Sequence, residues 1–212
     1  MKLVLLALLL LAAALFELPL RAAPAPMSDA AATALRARFE ARQRETRTWS
    51  AEFSQTLTMP GMRAPVVSTG TIRYRAPDAL RTDFTKPAGE WVLAVGDRLF
   101  LQKPGKRVAE KSLREDSAGK PILALLGLVQ GRPPEGEQHY EARVTPEEGS
   151  FVIVLTRKPG ASNRLPARIT NVLSEARLEI REVLVELPNG GSLRYAFRNL
   201  ERNRGLLCRE RP

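Results

Sequence analysis

The sequence predicts an α+β fold that is mainly β: one antiparallel sheet with two helices packed on it. Three observations predict it. At Trp49 the hydrophobic period changes from that of a helix to strict alternation. Turn signals then recur about every ten residues, the rhythm of an antiparallel meander. One short apolar run, Ile122 to Val129, interrupts that rhythm.

The chain opens on Met1-Lys2, an apolar run from Leu3 to Phe16, then Pro19, Arg21, Ala22 and Ala23. A positive start, an apolar middle and a small-residue end describe a secretory signal peptide, read here as residues 1–22. A membrane span needs about 20 apolar residues, and this run is shorter. An uncleaved anchor is the alternative. No cysteine lies near the end of the leader, so no lipid-modified N-terminal cysteine is expected. Residues 23–29 read as a linker and 30–212 as a single domain.

Ser28 or Asp29 is placed to cap a helix over Ala30 to Arg47, which is rich in Ala, Arg and Glu. Ala31, Leu35 and Phe39 give it a narrow apolar stripe. From Trp49 one strand face carries Trp49, Ala51, Phe53, Gln55 and Leu57. Pro60-Gly61 and Pro65 mark a loop before a strand over Val66 to Arg75, with Ile72 and Tyr74 opposite Arg73 and Arg75. After Ala76-Pro77-Asp78, the residues Leu80, Thr82 and Phe84 alternate with Arg81 and Asp83. Two more strands follow, Trp91 to Val95 and Arg98 to Gln102, joined at Gly96-Asp97.

Ser112 to Lys120 reads as a polar loop. Pro121 and Gly131 bound a short helix over 122–129 that is apolar nearly all round. Strands resume at Tyr140–Val144, Ser150–Thr156, Arg168–Asn171, Ala176–Glu186 and Ser192–Asn199. An apolar helix on a curved sheet encloses either ordinary core or a cavity fit for an acyl chain, each buried methylene contributing about 0.8 kcal/mol.

The composition narrows the chemistry. The chain has one Cys, Cys208, and so no internal disulfide; the fold must stand on its core. With one His, His139, and one Cys far apart in sequence, no nucleophile–base motif is legible. No Cys/His cluster has metal-ligand spacing and no Gly-rich loop cradles phosphates, so an enzyme, a metal and a cofactor are not expected. The net charge is +10, and cleavage after Ala22 leaves +9. Export argues against nucleic acid. The spread of arginines reads as a solvated basic surface, or as attraction to anionic lipid headgroups or an acidic partner.

Four segments, in this order, resemble one family. Trp49, Ala51, Phe53 and Gln55 resemble the aromatic-x-Ala-x-Phe-x-Gln opening strand of the periplasmic lipoprotein carriers of the LolA type. Gly70, Ile72, Tyr74 and Pro77 are similar to that family's Gly-x-hydrophobic-x-hydrophobic-x-x-Pro strand and turn. Gly96-Asp97 with Leu99-Phe100 matches its hairpin with acid and glycine exchanged, and Gly119 to Leu126 resembles its lid helix. The resemblance implies an unclosed half-barrel covered by the N-terminal helix and the lid. It also implies a monomeric periplasmic carrier that takes acylated lipoproteins from an inner-membrane ABC-type release complex to an outer-membrane receptor lipoprotein. Strand alternation then expects Trp49, Phe53, Ile72, Tyr74, Phe84 and Trp91 to line the cavity, with Trp91 or Val92 inward left open. Ile122, Leu125, Leu126 and Leu128 would cover it.

In the family an arginine commonly precedes the turn proline and bonds the lid closed; Ala76 stands there. Arg75 or Arg81 is the candidate substitute, although both alternate with the apolar face. The competing readings are a lipid- or lipoprotein-sensing regulatory module on the same fold, a carrier of a different lipid, and, least supported, a lipid-modifying enzyme.

Overall fold

A computed structural model describes residues 25–116, 119–130, 137–163 and 165–203. The leader, Cys208 and the C-terminal stretch from 204 lie outside the described residues, as does the stretch 131–136. Helix α1 (Asp29–Arg44) is capped by Ser28, whose side chain accepts from the Ala31 backbone N–H at 3.4 Å. Its Leu35 is buried and Phe39 packs against the core.

The strands are β1 (Thr48–Thr58), β2 (Val66–Arg75), β3 (Ala79–Lys86), β4 (Trp91–Val95), β5 (Arg98–Gln102) and β6 (Ala109–Ser112). Helix α2 (Gly119–Gln130) and a single turn of 3-10 helix (Glu137–His139) precede β7 (Tyr140–Glu147), β8 (Ser150–Arg157), β9 (Arg168–Ser174), β10 (Ile180–Glu186) and β11 (Ser192–Arg202). They form one antiparallel sheet of 11 strands in the order β6-β5-β4-β3-β2-β1-β11-β10-β9-β8-β7. The edge strands β6 and β7 do not pair, so the sheet is an open half-barrel. The chain must pass from the β6 edge to the β7 edge, and the segment holding α2 makes that crossing. The strand order imposes the crossing, and the buried apolar side chains of α2 set it over the concave face.

Four differences from the sequence reading have physical causes. Strand β6 falls where no alternation exists, in Ala109-Glu110-Lys111-Ser112; its backbone pairs with β5, and Arg98 holds Glu110 at 2.7 Å. Residues 175–179 turn rather than extend: Leu178 has φ 50, its N–H reaches Ser174 O at 2.8 Å, and burial of its side chain mimics a strand pattern. Strand β11 continues past Asn199 because a bulge there, with Asn199 at φ 51, restores pairing of Glu201 and Arg202 with Ser50 and Trp49. Helix α2 begins at Gly119, two residues before Pro121, which sits in the first turn where no N–H is needed.

The meander sorts its turns to two ends. The β1–β2, β3–β4, β5–β6, β8–β9 and β10–β11 connections share one end, as side-by-side contacts confirm: a Cβ on Gly190 would lie 3.7 Å from Pro60, and one on Gly89 3.3 Å from Pro104. The β2–β3, β4–β5, β7–β8 and β9–β10 turns share the other, with the C-terminus of α1.

Candidate functional site

The concave face is built by cross-strand rows. Ala51, Ile72, Thr82, Val92 and Leu101 sit side by side across β1 to β5, and Trp49, Tyr74, Leu80, Ala94 and Leu99 form the next row. An aromatic chain continues onto β11. Trp49 meets Phe197 edge-on at 5.7 Å, Phe197 stacks on Tyr195 at 6.0 Å, Tyr195 lies 6.3 Å from Phe53, and Phe53 meets Phe84 edge-on at 5.6 Å. Phe53 can lie flat across β2 because its neighbour there is Gly70. A methyl on Gly70 would strike the Asp83 carbonyl oxygen and come within 2.9 Å of the Phe53 ring.

Over this face lies α2, with Ile122, Leu125, Leu126 and Val129 buried. Between helix and sheet is a cavity of about 170 Å³, lined by Phe53, Ile72, Phe84, Val92, Ile122 and Leu125 with Gln55, Thr82 and Tyr195 as its polar margin. Burial pushes the Tyr195 phenol up to about 12, so it is a neutral hydroxyl at any physiological pH. The far end of α2 is tied to the β2–β3 turn. Gln130 Nε2 donates to the Pro77 carbonyl at 2.6 Å, and Tyr74 Oη donates to the same oxygen at 3.0 Å.

Of the residues expected from sequence, Phe53, Ile72, Phe84, Ile122 and Leu125 line the cavity. Trp49, Tyr74 and Leu126 are buried on the same side but one row deeper, as core. The side chain of Leu128 lies outside those described. Trp91 is a correction: it pairs with Asp83 across β3–β4, which puts Val92 inward and Trp91 on the convex face. Arg81 is there too, its guanidinium 4.7 Å over the Trp91 ring and bonded to Asp83 at 2.7 Å. Arg73 closes the same cluster at 3.0 Å from Asp83. Arg75, exposed and in phase with Arg73, also sits on that face. Neither Arg81 nor Arg75 is on the side of the lid.

The family model described as outer membrane lipoprotein carrier protein LolA matches residues 44–207. The chain belongs to the LolA family. An outer-membrane lipoprotein carrier protein of Dechloromonas aromatica (strain RCB) is 36% identical over 164 residues, 77% of this chain and 75% of that one. One of Methylibium petroleiphilum (strain ATCC BAA-1232 / LMG 22953 / PM1) is 24% identical over 108 residues, covering 50% of each. Among solved structures, MucB superposes with TM-score 0.54 at 17% identity, over 84% of this chain and 60% of that one. The fold is thus shared at low identity. In this LolA-family chain the residue before the turn proline is Ala76, and the Pro77 carbonyl accepts from Gln130 of α2.

Sequence reading placed Gln55 and Thr82 on the inward face without assigning them to the site. It missed Tyr195, although Leu193, Tyr195 and Phe197 alternate with Arg194, Ala196 and Arg198. The signal was present; what it lacked was the pairing of the last strand with the first, which brings Tyr195 beside Phe53.

Proposed function

We propose that this chain is a periplasmic carrier that shields the acyl chains of lipoproteins and moves them from the inner to the outer membrane. The observation that carries the reading is the apolar cavity beneath α2, on the concave face of a LolA-family half-barrel. At about 170 Å³ it matches an engineered cavity of about 150 Å³ that holds one benzene. A full acyl chain therefore needs the space that Ile122 and Leu125 occupy. Lid and cargo compete for one surface, so a partner that draws α2 away favours loading, and return of α2 favours release. The leader supplies export, the ABC-type release complex loads, and a receptor lipoprotein unloads. No step calls for covalent chemistry.

The test is native mass spectrometry of the purified protein, then incubation with inner-membrane vesicles bearing labelled lipoprotein. Co-purifying acylated species and release of lipoprotein into the soluble fraction are expected. Absence of both overturns the reading. A stable complex with a membrane protein and no release would instead favour the regulatory module.

A further inference from the structure

The two ends of the half-barrel differ in charge. At the end holding the β1–β2, β3–β4 and β5–β6 turns, the described loops carry Arg63, Lys103, Lys106, Arg107 and Lys158 against Glu90 and, in the turn before β7, Glu137. The four cations in the β1–β2 and β5–β6 loops are exposed, with no ion pair among the described residues. The opposite end is net acidic: its turns hold Glu45, Asp78, Asp97, Glu115, Asp116, Glu148, Glu175 and Glu179 against Arg47, Arg114 and Arg177, with Arg114 3.3 Å from Asp97.

Exposed apolar side chains show the same asymmetry. The large ones among the described residues are Met62 at 37%, Val66 at 50%, Val67 at 44% and Val108 at 42% exposure. All belong to the β1–β2 hairpin or the β5–β6 turn, interleaved with Arg63 and Arg107. Bulky apolar groups held out in water beside cations are what an interfacial membrane anchor presents. The cavity lies toward this end as well. Gln55 is three residues from the end of β1, Phe84 two from the end of β3, and Val92 is the second residue of β4.

We propose that this basic, apolar-tipped end docks onto the surface of an anionic phospholipid bilayer. Met62, Val66, Val67 and Val108 enter the headgroup boundary, while Arg63, Lys103, Lys106 and Arg107 meet lipid phosphates. The acidic end is repelled from the same surface, so docking is oriented and turns the cavity side toward the membrane. A protein partner of mixed chemistry would not require the apolar tips and the cations to fall on the same rim. The inference concerns where the protein sits, and it holds whatever the cavity carries.

The test is co-sedimentation of the full chain with protein-free vesicles of phosphatidylethanolamine and phosphatidylglycerol, against vesicles of phosphatidylcholine. Binding to the anionic vesicles, falling with added salt, is expected. Lys103→Glu with Lys106→Glu and Arg107→Glu should weaken it about tenfold or more. Met62→Ser with Val66→Ser and Val67→Ser should weaken it by a similar factor, while Glu148→Lys at the acidic end leaves it intact. These positions are exposed, so an unchanged thermal midpoint separates lost docking from lost fold. Equal binding to both vesicles overturns the proposal. So does binding that survives both sets of substitutions, which would assign it to the leader. No binding to protein-free vesicles overturns it in favour of a protein partner. Uptake of a fluorescent fatty acid by the same variants reads the cavity separately, so failure of docking and failure of the carrier reading are distinguishable.

Discussion

Tyr195 carries a phenol into an apolar cavity between Phe53 and Phe197. Desolvation lifts it from 10.0 to about 12, so the folded state keeps a proton that the unfolded state loses first. Stability therefore falls as pH rises from about 10 to about 12, by about 2–3 kcal/mol in all. Tyr195→Phe should flatten that decline in urea titrations at successive pH values while leaving stability near pH 7 little changed. Gly70 is the second decisive residue. Gly70→Ala pushes a methyl into the Asp83 backbone and the Phe53 ring, neither of which is a flexible side-chain end. A loss of about 1–3 kcal/mol is expected in denaturant unfolding, together with weaker uptake of a fatty-acid probe as Phe53 is displaced.

At the scale of elements the lid is the informative piece. It is apolar like core, yet it is fastened at its end by Gln130 to a turn carbonyl rather than woven into the sheet. That hydrogen bond contributes about 1 kcal/mol, so what holds α2 down is mainly the burial of Ile122, Leu125, Leu126 and Val129, on the surface an acyl chain would cover in their place. Leu125→Asp separates lid from core. A charge under α2 costs several kcal/mol if the helix must stay docked, and much less if it can lift. The expected result is a cooperative thermal transition that survives, with α2 rapidly exchanging its amide hydrogens and probe binding lost. Collapse of the whole transition would make α2 ordinary core.

At the scale of the molecule the open sheet leaves two edges. Strand β6 is four residues long and exposed, with Glu110 and Lys111 at its centre, and β7 carries Pro146. Short charged edges and proline discourage strand addition. Glu110→Val with Lys111→Val should shift the protein to larger species than the parent in size-exclusion chromatography. The same open form places every second turn at one end, which is how scattered loop residues become a basic, apolar-tipped rim opposite an acidic one.

Strand existence and facing were legible in the sequence wherever alternation was strong. Phe53, Ile72 and Phe84 could be assigned to the inward face from period alone, because half-burial in a sheet writes itself as period two, whereas Ile122 and Leu125, on a helix apolar nearly all round, came from the family resemblance. Strand β6 was not legible, since an exposed edge buries nothing and is held by its neighbour's backbone. Nor was Trp91, because β4 is apolar on both faces and periodicity gives no phase; only its pairing with Asp83 sets Val92 inward. Arg81 was read correctly as alternating outward, but its Asp83 and Trp91 partners appear only in the fold. What the sequence determined by itself is local: which segments extend, which coil, and which faces are apolar. What the tertiary structure decided is long-range: β11 against β1, α2 across the concavity, and the sorting of turns to two ends. Those depend on strand order, and residues far apart in sequence carry no local trace of it.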